Sequence, residues 1–173
     1  MRIWVYLGVL VFLGALAISA PAQKKKRPAP KPAPTPVKSF VTADERTAKQ
    51  TASNQLANVS GYLARLTPLV PQLNDLATAD KAGKLSKKAS TDYNNARKKL
   101  LLQLSDFGVG LTNLETDFKT KPALGKYLVK IQGISDLSAT AEDSASLGRY
   151  EAVREALKGI VQRLSDTVAA MPS

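Results

Sequence analysis

Beyond residue 40, apolar residues recur at steps of three and four, the period of one helical face. The first stripe is Ala48, Ala52, Leu56, Val59, Leu63 and Leu66. Thr42-Ala43-Asp44-Glu45 precedes it as a capping box, with Thr42 at the N-cap and Glu45 three residues on. Pro68 and Pro71 interrupt the helix, and the stripe resumes at Leu69, Leu73 and Leu76, which predicts a kinked or broken helix to about Ala79. Residues 80–84, with Gly83, read as a turn. The second stripe is the longest: Leu85, Ala89, Tyr93, Ala96, Leu100, Leu104, Phe107, Leu111, Leu114 and Phe118. A third helix opens with Pro122 in its first turn and carries Leu124, Tyr127, Leu128, Ile131 and Ile134, then Leu137 or Ser138, and Ala141. After a turn near Ser146-Leu147-Gly148, a fourth carries Tyr150, Val153, Leu157, Ile160, Leu164 and Val168.

No strand-like alternation of comparable length occurs. Long helices joined by short loops pack as antiparallel neighbours, so the expected fold is all-α: an antiparallel up-down four-helix bundle over residues 41–173. The first two helices read roughly ten residues longer than the last two. Either a helical hairpin projects beyond the bundle, or the first helix breaks fully at Pro68. The regular seam of the second helix suits a homo-oligomer as well as an intramolecular core.

The N-terminal part has a different character. Met1 and Arg2 precede an apolar run from Ile3 to Ala17, and Ala20-Pro21-Ala22 fits a small-x-small cleavage pattern before Gln23. Residues 1–22 therefore read as a signal peptide, and the mature protein as periplasmic or secreted. Lys24, Lys25, Lys26 and Arg27 follow at once, and positive charge there resists translocation. The competing reading is an uncleaved membrane anchor whose polybasic segment grips lipid, although an apolar run of about 15 to 18 residues is marginal for spanning.

Charge sharpens this division. The chain is +11 overall. Residues 23–40 form a basic Pro-rich linker in which Lys24, Lys25, Lys26, Arg27, Lys31 and Lys38 meet no acid. Pro28, Pro30, Pro32, Pro34 and Pro36 exclude helix and favour extended polyproline II, roughly 45 Å of it. Beyond residue 38 the chain has 18 basic and 14 acidic residues, so the helical part is only mildly basic. Its one concentrated basic run is the first hairpin, with Lys81, Lys84, Lys87, Lys88, Arg97, Lys98 and Lys99 against Asp80 and Asp92. Both basic regions are candidates for contact with an anionic surface or an acidic partner, and a solvated linker and loop are the plain alternatives.

The sequence contains neither Cys nor His. Disulfides, thiolate catalysis, Cys/His zinc sites and histidine relays are therefore excluded. Glu151 and Glu155 stand one helical turn apart, but Arg154 and Lys158 pair with them at helical spacing and make a charged face. Asp106-Phe107-Gly108 copies a kinase tripeptide without a kinase Gly-rich loop, and Phe107 lies on the apolar stripe. Asn58-Val59-Ser60 is a sequon in mid-helix. Tyr62, Tyr93, Tyr127 and Tyr150 lie on or beside the stripes and read as core or boundary residues whose hydroxyls reach outward.

In architecture the pattern resembles the exported four-helix cytochromes, and Gly148-Arg149-Tyr150-Glu151-Ala152-Val153 is similar to the turn opening their last helix. The same stretch resembles half of a tetratricopeptide repeat. Those cytochromes hold haem through His, and this chain offers none, so no ligand and no cofactor carries over. The Lys/Ala/Pro tail resembles that of linker histones, but an export signal removes the protein from DNA, and nucleic acid is disfavoured as a partner. The expectation is a non-enzymatic exported bundle acting as an envelope interaction or structural module, with a cationic tether.

Overall fold

The computed structural model describes residues 41–172. The segment expected to be a signal peptide, the Pro-rich linker and Lys24, Lys25, Lys26, Arg27, Lys31 and Lys38 lie outside the described residues. Within them the chain is all-helical, with α1 at Ala43–Leu66, α2 at Val70–Lys81, α3 at Lys87–Thr120, α4 at Leu128–Ile131, α5 at Ile134–Ser146 and α6 at Tyr150–Ala170. Two 3₁₀ segments, Thr67–Leu69 and Pro122–Tyr127, join α1 to α2 and lead into α4. α5 packs on α3 and α6, and α6 packs on α1, around one apolar core.

Six α-helices stand where periodicity predicts four, because the first and third expected helices are each divided. The first division is at Pro68. The 3₁₀ segment turns the chain at about 3.0 rather than 3.6 residues per turn, which advances the buried face. Val70 and Ala77 are therefore buried, Leu73 and Leu76 are half-buried, and Leu69, expected on the core stripe, is 48% exposed. The second division, absent from the sequence reading, is at Gln132-Gly133. Gly133 takes φ +82°. That conformation costs an L-residue roughly 1–2 kcal/mol and stops α4 after one turn.

The broken backbone is satisfied by side chains from neighbouring helices. Glu115 of α3, 3% exposed, accepts the Gly133 and Ser135 amides, each at 3.0 Å, and the Ser135 hydroxyl. These are free N–H groups at the start of α5, where a negative charge is also favoured by the helix dipole. From the other side, Arg163 of α6 donates to the Gln132 carbonyl. The far end of α5 closes in a Schellman motif, with Gly148 at φ +69° and the Arg149 amide on the Ser144 carbonyl at 2.8 Å. There Arg97 donates to the Ser146 carbonyl and Lys81 to the Leu147 carbonyl at 3.2 Å.

The capping box of α1 forms as the sequence predicts, with Thr42 accepting from the Glu45 amide at 3.1 Å and Glu45 accepting from the Thr42 amide at 2.8 Å. Glu45 also takes Tyr127 Oη at 3.0 Å and Lys126 Nζ at 2.7 Å, which ties the start of α1 to residues 122–127. At the opposite terminus, Lys49 of α1 donates to the Met171 and Pro172 carbonyls at 3.2 and 3.1 Å, behind the end of α6.

Both buried carboxylates have acid-shifted pKa values. Burial opposes ionisation of Glu115, but its bonds to Lys119, Ser135 and Gly133 outweigh that and bring its pKa to about 2, from 4.5. Bonds from Lys126 and the Thr42 amide lower Glu45 to about 2 as well. Such groups stabilise the fold fully above the unfolded value of 4.5, and the stabilisation is lost as pH falls from there toward 2. Thermal melts of wild type should therefore fall steeply below pH 4.5. Glu115→Gln turns an amide donor toward two backbone donors, and should cost about 1–3 kcal/mol at pH 7 and flatten that acid slope. Gly133→Ala should cost about 1–2 kcal/mol in urea unfolding, because its Cβ finds ordinary contact distances and only the backbone is strained.

Candidate functional site

The α2/α3 hairpin extends past the rest of the fold. α3 has 34 residues and α6 has 21, about 51 and 32 Å of helix. The last core layer at this end consists of Ala77, Tyr93 and Tyr150, where α6 begins. No residue between 78 and 92 is buried. The projecting hairpin weighed from helix lengths is therefore present, and the lysines the sequence singles out lie on it.

They do not play equal roles. Lys81 is engaged by the Leu147 carbonyl, and Lys88 pairs with Asp92 at 2.7 Å. Asp80 accepts the Ser90 hydroxyl at 2.7 Å instead of meeting a lysine. Lys84, in the turn, and Lys87 have no acidic partner among the described residues. Lys87 and Lys88 follow the N-cap Ser86 directly, and the first turn of α3 contains no acid. Cations there oppose the helix dipole, whereas α1, α5 and α6 all carry an acid in their first turn.

Directly inward from this tip is an apolar groove between α1/α2 and α3. Tyr62, Leu66, Leu69 and Leu73 form one wall, and Arg97, Lys99 and Leu100 form much of the other. Its volume is about 350 Å³, inside the roughly 300–1,000 Å³ span of small-molecule sites. The break at Pro68 opens it by turning Leu69 outward. Arg97 donates to the Ser146 carbonyl, and its Nε is buried without a hydrogen-bond partner among the described residues. Ala96, expected on the core stripe, is exposed, and Arg97 takes the inward position.

Other sequence candidates resolve into structure. Glu151 and Glu155 pair with Arg154, and Glu155 with Lys158 at 2.9 Å. Lys158, then Arg154, lower the Glu155 pKa. Phe107 is buried and meets Tyr62 edge-on at 5.4 Å between ring centroids. The tyrosine expectation needs correction, because three hydroxyls turn inward. Tyr93 and Tyr150 hydrogen-bond each other at 2.8 Å, and Tyr127 bonds Glu45. A buried phenol keeps its apolar ring in the core only if its hydroxyl finds a partner, and here the partners are themselves interior. Burial, then the bond with Tyr93, raises the Tyr150 pKa. Among the described residues no group of three acidic side chains is placed to hold a metal ion, and no helix is long and apolar enough to cross a membrane. No family model, curated protein or solved structure matches the chain.

If the tip lysines are held against the dipole, charge reversal should relieve the penalty. Lys87→Glu should raise stability in urea by about 0.3–1 kcal/mol while removing a cation from the exposed tip.

Proposed function

We propose that this protein is an exported, non-enzymatic interaction module whose α-helical body, a variant of the antiparallel four-helix bundle with divided first and third helices, presents a cationic hairpin to an anionic envelope surface. The observation that carries this reading is the projecting tip, where Lys84 and Lys87 lack acidic partners among the described residues and Lys87 and Lys88 occupy an electrostatically unfavourable helix start. The basic linker, with Lys24, Lys25, Lys26, Arg27, Lys31 and Lys38, adds a second, sequence-distant contact as a tether. Two weak cationic contacts on one chain act together through effective concentration. The absence of Cys and His from the sequence supports a binding role over catalysis.

A second reading is favoured by the Lys24 to Arg27 cluster directly after the apolar segment: an uncleaved anchor, with the same cations on lipid. The mass of the native N-terminal peptide separates the two. A start at Gln23 in a periplasmic or secreted fraction supports export, and a start at Met1 in the membrane fraction supports the anchor.

Co-sedimentation of the native protein with phosphatidylglycerol vesicles tests the surface. Binding should be salt-sensitive and absent on phosphatidylcholine. Neutralising Lys84, Lys87 and Lys88 to Gln should weaken it by about fivefold per lysine. Unchanged binding in that triple variant would remove the hairpin from the contact.

A further inference from the structure

The groove at the Pro68 break has the chemistry of a ligand site, and no part of the reading above uses it. Leucine and tyrosine side chains from α1, the first 3₁₀ segment and α2 line one of its walls. Such a groove facing water leaves apolar surface exposed, and Leu69 at its rim is 48% exposed. The other wall carries charge. Arg97 spends one Nη on the Ser146 carbonyl, and its side chain lines the groove. Lys99 stands at the same wall as a second cation, and among the described residues no carboxylate lines the groove. An anion bound there would therefore meet two positive side chains and no negative one.

Neutral apolar ligands would make no use of the two cations, Arg97 and Lys99, that line the groove. A small inorganic anion would leave the leucine walls wet. The occupant that answers both is an amphiphile whose chain lies along Leu66, Leu69 and Leu73 while its head reaches Arg97 and Lys99. We propose that this groove binds a single-chain amphiphile with an anionic head, either a carboxylate or a phosphate. The assignment is independent of export and of the hairpin's role on a surface, because it uses none of Lys84, Lys87 or Lys88.

Calorimetric titration of the native protein with laurate and with lauroyl-lysophosphatidylglycerol, each below its micellar concentration, tests it, with dodecyl maltoside as a neutral chain of equal length. Saturable one-to-one binding of either anionic probe supports the proposal, and the two probes separate a fatty-acid source from a phospholipid one. Leu69→Asp places a carboxylate at the exposed rim and should weaken binding at least tenfold. Leu102→Asp makes the same charge change at a position 68% exposed on α3 and outside this groove, and should leave affinity within twofold. Circular dichroism melts should show both variants folded, since neither leucine is buried. Equal binding of the maltoside, unchanged binding in Leu69→Asp, or equal loss in Leu102→Asp would overturn the assignment.

Discussion

The short helix α5 is held at both ends by charges borrowed from other helices, and the rest of the fold is arranged around that grip. Glu115 places a carboxylate at its N-terminus, while Arg97 and Lys81 place cations at its C-terminus. Each sign complements the helix dipole, and each side chain satisfies backbone groups that a 13-residue helix cannot satisfy alone. One grip ties α5 to the C-terminal part of α3, and the other ties it to the base of the hairpin. Glu45 and Lys49 repeat the device at the start of α1 and the end of α6. Apolar burial supplies most of the driving force, but it is non-directional. These oppositely charged clasps fix where each helix stops.

The grip also separates a structural part of the basic hairpin from an available part. Arg97 and Lys81 are committed to α5, whereas Lys84 and Lys87 are held outward without acidic partners among the described residues. Arg97 does both, because the residue that caps α5 also lines a wall of the apolar groove. One end of the molecule thus combines an exposed cationic tip with a concave apolar surface. That pairing suits contact with amphiphilic or anionic envelope material, in keeping with the proposed role.

Much of the helical core was legible in the sequence because its signal is periodic and local. The stripes through Leu100 to Phe118 and through Val153 to Leu164 are buried as their spacing predicts, and the Thr42/Glu45 box forms from four adjacent residues. What escaped was long-range or depended on a change of period. The break at Gly133 leaves Ile131 and Ile134 both buried three residues apart, so the apolar stripe passes through it without a mark. Its cause, a glutamate about eighteen residues upstream, is invisible to a helical pattern. Leu69 was assigned to the core because the 3₁₀ segment shifts phase without altering composition. The inward tyrosine hydroxyls depend on partners that only the tertiary fold brings near. The groove was hidden for the same reason, although Pro68 and Pro71 beside a basic helix were its available signal.

The central claim is that this protein does its work at the hairpin end. It is tested most directly by amide chemical-shift mapping of the isotopically labelled protein, titrated with anionic bicelles. The account predicts shifts concentrated in residues 66–100 and 146–150, with α4, the start of α5 and the end of α6 unmoved. Shifts centred on the opposite end, around Glu45, Tyr127 and Met171, or spread evenly along every exposed lysine, would contradict it.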